Sequence, residues 1–212
     1  MLDPIQLYWL LMMLKAYEPG IFDMIINQFT LPDKGIIPAN KYTDNKKLRG
    51  YLIISDSVTS IGKYAFFGCS GITSITIPDS VISIGRSSFY GCSRLTSITI
   101  PNSVISIGES AFTGCRGLTS ITIPESVTSI GRTAFYRCTG LTSITIPESV
   151  TSIGESVFYG CSGLTSVKIL NSVTKIGDSA FLGCSGLTSI EIPNSVTEIG
   201  WGAFHGCEII RT

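Results

Sequence analysis

Apolar and polar positions in this chain follow a pattern that returns every 23 residues across residues 49–209. In one unit the apolar landmarks are Leu95, Ile98, Ile100, Val104, Ile107, Ala111, Phe112 and Cys115, with Thr96, Ser97 and Thr99 interleaved among the first three. Ile98-Thr99-Ile100 alternates as a strand does, and its β-branched residues suit a pleated surface. Pro101 lacks an N–H with which to continue a ladder, and with Asn102 and Ser103 it predicts a turn. Val104-x-x-Ile107 reads as a second short extended segment, stopped by Gly108. The spacing of Ala111, Phe112 and Cys115 predicts one helical turn over 109–115. A unit this short cannot bury its own apolar side chains, so neighbouring units must stack and cover one another.

Every landmark keeps the same step. The cysteines fall at Cys69, Cys92, Cys115, Cys138, Cys161, Cys184 and Cys207, each 23 residues after the last. A glycine series from Gly62 to Gly200 and a phenylalanine series from Phe66 to Phe204 run in parallel. Fixed self-similarity on this scale marks a repeat architecture, here one elongated body. Departures are few: Leu170 stands for the Pro, Val157 and Ser88 for the Ala, and Arg49 for the first Leu.

The ends differ. Residues 1–25 are expected to form an N-terminal helical cap, with Asp3 as N-cap, Pro4 at the first helical position, Gln6 at the third and Glu18-Pro19-Gly20 as the stop. A secretory signal is the competing reading of that segment. A basic leading region and a small-residue cleavage site before Pro19 are missing, which counts against it. Residues 26–48 read as a diverged first repeat followed by a polar loop, and residues 49–212 as the repeat body. Ile210 aligns with the Leu that opens a strand in other units, so the final coil is expected to expose apolar surface. Two explanations fit: continuation in a longer protein, which is favoured, or self-association through an uncapped C-terminal coil.

Composition narrows the function classes. Lys and Arg number 15, as do Asp and Glu, and charged residues make up only 14% of the chain. Such a balance lacks the electrostatic footprint of a nucleic-acid binder. The longest wholly apolar run, Leu7 to Leu14, falls far short of the roughly 20 residues of a membrane-spanning helix.

Candidate chemistry is sparse. Stacked coils repeat at roughly 4.8 Å, which would place neighbouring cysteines within disulfide range. Small buried thiols packed against Phe are the favoured reading, because an odd count leaves one thiol unpaired and no clustered Cys or His pairs suggest zinc. The single histidine, His205, has no Ser or Cys placed by motif to use it as a base, so no catalytic residues and no enzyme activity are assigned. The position after each Gly reads Lys63, Arg86, Glu109, Arg132, Glu155, Asp178, Trp201, and its alternating sign from Arg86 to Glu155 predicts cross-coil ion pairs. A row of acids and amides, among them Asp56, Asp79, Asn102 and Glu125, is explained by turn formation without calcium. No cofactor is called for. The distinctive exposed feature is a stack of hydroxyls: Thr96, Ser97 and Thr99; Thr119, Ser120 and Thr122; Thr142, Ser143 and Thr145. These nine residues are the candidate ligand-binding set, interrupted only by Lys168 and Glu191 farther along. Ice binding is a remote alternative, since Ser at half the positions lacks the methyl group of Thr.

The motif L-x-x-I-x-I-P-x-x-V-x-x-I-G-x-x-A-F-x-x-C over residues 49–209 resembles the BspA-like, or Treponema-type, leucine-rich repeat. The resemblance implies a leucine-rich-repeat solenoid, a β-rich right-handed superhelix of about eight 23-residue coils with short parallel strands lining one face. It also implies a non-enzymatic, adhesin-like module at the cell surface or secreted, contacting a protein or glycan ligand on that face. A structural spacer within a longer surface protein is the alternative.

Overall fold

Each coil closes on itself because its apolar landmarks come from every side of the loop and can be covered only by meeting in the middle. The computed structural model describes residues 30–31, 35–37, 41–42 and 48–212. In it the landmarks form one continuous core along the whole stack. Leu95, Val104, Ala111, Phe112 and Cys115 are all fully buried. The helical cap expected over residues 1–25, and the signal reading that competes with it, lie outside the described residues.

Two columns of parallel strands run along the stack. In the first, Thr30–Leu31, Gly50–Ile54, Ile72–Thr76 and Ser97–Thr99 make one sheet. Ser143–Ile146 pairs with Ser166–Ile169, and Ser189–Ile192 with Glu208–Arg211. The second column comprises Gly35–Ile37, Val58–Ile61, Ser83–Ile84, Ser106–Ile107 and Ser129–Ile130, followed by Ser152–Ile153, Lys175–Ile176 and Glu198–Ile199. Partners such as Ser74 with Ser97, or Ser83 with Ser106, keep the step of the repeat.

The third side of each coil corrects the sequence reading. Among the described residues none is helical. A helix requires each N–H to reach the carbonyl four residues back, whereas here alternate N–H groups go to different places. Those of Ala111, Thr113 and Cys115 close tight turns onto the carbonyls of Gly108, Ser110 and Phe112, at 3.2, 3.1 and 3.1 Å. Those of Ser110, Phe112 and Gly114 donate to Arg132, Ala134 and Tyr136 of the next coil, at 3.0, 2.8 and 2.8 Å. The backbone turns through left-handed residues to allow this, Ser110 at φ 56° and Gly114 at φ 72°. Inward spacing of Ala111, Phe112 and Cys115 is thus produced by a staircase of turns bonded to the neighbouring coil.

That staircase carries the aromatic spine. From Tyr42 and Phe66 to Phe204 the inner rings stack near-parallel; Phe89 and Phe112 lie 5.3 Å apart at 7°. Cys92, Cys115, Cys138, Cys161 and Cys184 lie beside it as buried thiols. Cys115 Sγ–H donates to the Phe89 carbonyl of the preceding coil at 3.2 Å, and Cys138 to Phe112 at 3.1 Å. Burial pushes the Cys138 and Cys184 thiols up to about 12.

Three registers depart from the repeat, the first at a shift between Gly35 and Ile36 that sets Ile36 opposite Ser60. A bulge between Gly50 and Tyr51 places Gly50 opposite Ile72, so Arg49 lies beside Gly71 and does not occupy the Leu column. At the other end Glu208 stands opposite Ser189, 19 residues on. The Ser-Gly-Leu-Thr that follows Cys184 has no counterpart after Cys207, so the chain crosses directly. Ile210 consequently faces Glu191 and does not take the Leu187 position expected from alignment.

Candidate ligand surface

Alternation along the first strand column turns Ile98, Ile121 and Ile144 inward and leaves Thr99, Thr122 and Thr145 exposed. Of the nine hydroxyl residues singled out in the sequence, eight are exposed and Ser97 is half-buried. All nine stand on consecutive coils of one face, but the structure divides them by what their hydroxyls do. Thr96 Oγ1 donates to the Thr73 carbonyl at 3.0 Å, and Thr142 to Thr119 at 3.2 Å. Ser97 and Ser74 share a hydrogen bond of 3.3 Å. These groups tie coil to coil. The hydroxyls of Thr99, Thr119, Ser120, Thr122, Ser143 and Thr145 have no hydrogen-bond partner among the described residues, so they are the ones available to a ligand.

The face is not one flat sheet. Residues 119–123 form no strand, and the Thr119 N–H reaches the Thr96 carbonyl at only 3.5 Å. A second break separates Ser166–Ile169 from Ser189–Ile192. Beside it lies a shallow depression of about 500 Å³, lined by Ser166, Lys168, Ser189 and Glu191 among others. The sequence signalled this spot only as two charges interrupting a hydroxyl row.

His205 is exposed on a groove of about 550 Å³ with Ile199, Trp201 and Ile209, and no nucleophilic side chain lines that groove. Cross-coil ion pairs expected after the glycines occur as Arg86–Glu109 at 3.5 Å and Arg132–Glu155 at 3.4 Å, both exposed. Among the described residues no group of acids, cysteines and histidine could hold a metal ion, and no helix is long and apolar enough to cross a membrane.

Known proteins place this architecture. The T. pallidum Leucine Rich Repeat protein superposes with a TM-score of 0.70 at 29% identity, over 74% of this chain and 76% of that one. A leucine-rich repeat protein from Bacteroides ovatus matches at 25% identity over 84% of both chains, with a TM-score of 0.38. A leucine rich cell surface protein from Faecalibacterium prausnitzii matches at 24% identity over 87% of both chains, with a TM-score of 0.42. A comparison with curated proteins found no match. Residues 35–162 and 82–211 fit the model of the BspA type leucine rich repeat region in six copies, and the chain belongs to that family.

Proposed function

We propose that this chain is a non-enzymatic recognition module that holds an extended protein or glycan across its strand face, in the manner of a surface adhesin. One observation carries the reading: Thr99, Thr122 and Thr145 stand exposed on consecutive coils with hydroxyls unused by the fold, beside Thr96 and Thr142, whose hydroxyls are used. A column of free donors and acceptors repeating at the coil spacing of about 4.8 Å suits a chain-like ligand. Six free hydroxyls and almost no charge make area and hydrogen bonds the source of affinity. Binding on this face should therefore depend weakly on salt.

The test is solid-phase binding to extracellular-matrix proteins, plasma proteins and surface glycans, beside a variant carrying Thr99→Arg, Thr122→Arg and Thr145→Arg. Loss of binding in the variant is expected, and binding that survives it would move the site off this face. The second reading is a structural spacer. The coil-to-coil bonds of Thr96, Thr142 and Thr165 favour it, because they make part of the hydroxyl face a device of stacking. Absence of binding by both proteins would select it.

A further inference from the structure

The corner between the aromatic staircase and the first strand column carries a second feature. On three consecutive coils it bears Arg94, Arg116 and Arg137, all exposed. They drift along the corner, from just before the cysteine in Arg137, to just after it in Arg116, to two places after it in Arg94. Their counterparts in adjacent coils are small: Gly71 and Gly117 for Arg94, Ser93 and Thr139 for Arg116, Gly114 and Gly160 for Arg137. The backbones there are in direct contact, with Gly117 N–H donating to the Ser93 carbonyl at 2.9 Å and Gly114 N–H to Tyr136 at 2.8 Å. Three guanidinium groups thus stand on a low surface of glycine, serine and threonine.

These arginines differ from the other cations of the stack. Arg86, Arg132 and Lys175 each have a carboxylate on the next coil. Arg94, Arg116 and Arg137 have none among the described residues. Residues 87–101, 110–124 and 133–147, which include the corner and the strand beyond it, contain no Asp or Glu at all. In a chain of zero net charge, this corner is a local excess of positive charge. Arg137 further occupies a left-handed position, φ 54°, which is glycine in every other cysteine-bearing coil.

Beside the corner runs an outer aromatic row. Phe67 and Tyr90 stack at 4.7 Å, and Tyr136 and Tyr159 at 4.9 Å, with the buried Thr113 between the two pairs. The Arg137 guanidinium lies 5.4 Å from the Tyr136 ring centre. Guanidinium forks match the oxygens of sulfate and carboxylate two at a time. Tyrosine edges and serine and threonine hydroxyls suit the ring carbons and hydroxyls of a sugar. Three cations spread over two coil spacings, about 10 Å along the stack, fit a short stretch of a polyanionic chain that crosses the coils obliquely. They fall short of the broad basic face that duplex nucleic acid requires.

We propose that Arg94, Arg116 and Arg137, flanked by Tyr90 and Tyr136, form a binding site for a sulfated glycan, separate from the strand face. The test is fluorescence anisotropy of a labelled heparin-type octasaccharide with the whole chain. Variants take the residues found in sister coils, Arg94→Gly, Arg116→Ser and Arg137→Gly, so that folding is retained, and circular dichroism verifies it. Each single replacement is expected to weaken binding about fivefold, the scale of one exposed ion pair, and the triple replacement to abolish it. Raising salt from about 50 to about 200 mM should weaken the wild type roughly tenfold or more. Arg132→Ser, which removes a cation from the paired column, should leave affinity unchanged. Undiminished binding by the triple variant would overturn the proposal, as would no binding at low salt. Equal affinity for the desulfated octasaccharide, for a DNA strand of equal charge or for anionic phospholipid vesicles would also overturn it. This outcome is independent of the strand-face reading, which the threonine variant tests in its own assay.

Discussion

Ser88 shows what a single atom does within a column that is otherwise alanine, save for Val157. Ala65, Ala111, Ala134 and Ala180 fill the same place in other coils, and Ser88 is as buried as they are. Its Oγ has no hydrogen-bond partner among the described residues. A buried unsatisfied hydroxyl costs about 1–3 kcal/mol. Ser88→Ala is therefore expected to stabilise the chain by about 1–2 kcal/mol in urea unfolding, and a stability loss would show that the hydroxyl has a partner in solution. Arg137 is the second such residue. A left-handed backbone costs a side-chain-bearing residue roughly 1–2 kcal/mol, offset in part by the entropy glycine loses on folding. Arg137→Gly should raise the unfolding midpoint, and a fall would mean that the contact with Tyr136 outweighs the strain. Both residues are visible in the sequence as departures from a column. That one leaves a hydroxyl orphaned and the other sits left-handed depends on backbone geometry, which the pattern does not specify.

At the level of the element, the glycine that ends the second strand is fixed by neighbouring backbone. A Cβ at Gly108 would come within 2.6 Å of Arg86 N and 2.7 Å of Gly85 C, atoms that cannot move without separating the coils. The same atom at Gly154 would meet nothing closer than 3.6 Å, the Val157 side chain. Gly108→Ala is expected to cost about 2–3 kcal/mol, the upper range of overpacking, while Gly154→Ala should be close to neutral. Equal melting points for the two variants would contradict this contact geometry. The strands and the inward landmarks were legible in the sequence because alternation and period are local properties. The turn staircase was not, since a helical turn and a run of inter-coil turns bury the same three positions. The broken sheet was not either. Residues 95–101, 118–124 and 141–147 are the same heptapeptide, Leu-Thr-Ser-Ile-Thr-Ile-Pro, yet the second forms no strand. What separates them is how each coil sits on its neighbours.

For the molecule as a whole, stacking links groups that would be independent in a globular core. The thiols of Cys92, Cys115, Cys138, Cys161 and Cys184 each donate to a carbonyl of the coil before. Burial raises Cys138 and Cys184 from 9.0 to about 12 and raises the other three as well. In the folded chain these thiols keep their protons where the unfolded chain begins to lose them, so the native state binds more protons above pH 9. Stability from this source is complete below the unfolded value and declines as pH rises toward the folded one. The array should therefore weaken progressively between about pH 9 and about pH 12, with every buried thiol contributing to the same slope. Urea midpoints at about pH 8 and about pH 10.5 measure it, with a Cys138→Ala, Cys184→Ala chain for comparison. That chain should start less stable, having lost two buried contacts, but fall less between the two conditions. A parallel fall in both proteins would place the alkaline sensitivity elsewhere. Because coils unfold with their neighbours, the loss should register as a shift of the whole transition, including at the aromatic spine far from either substitution.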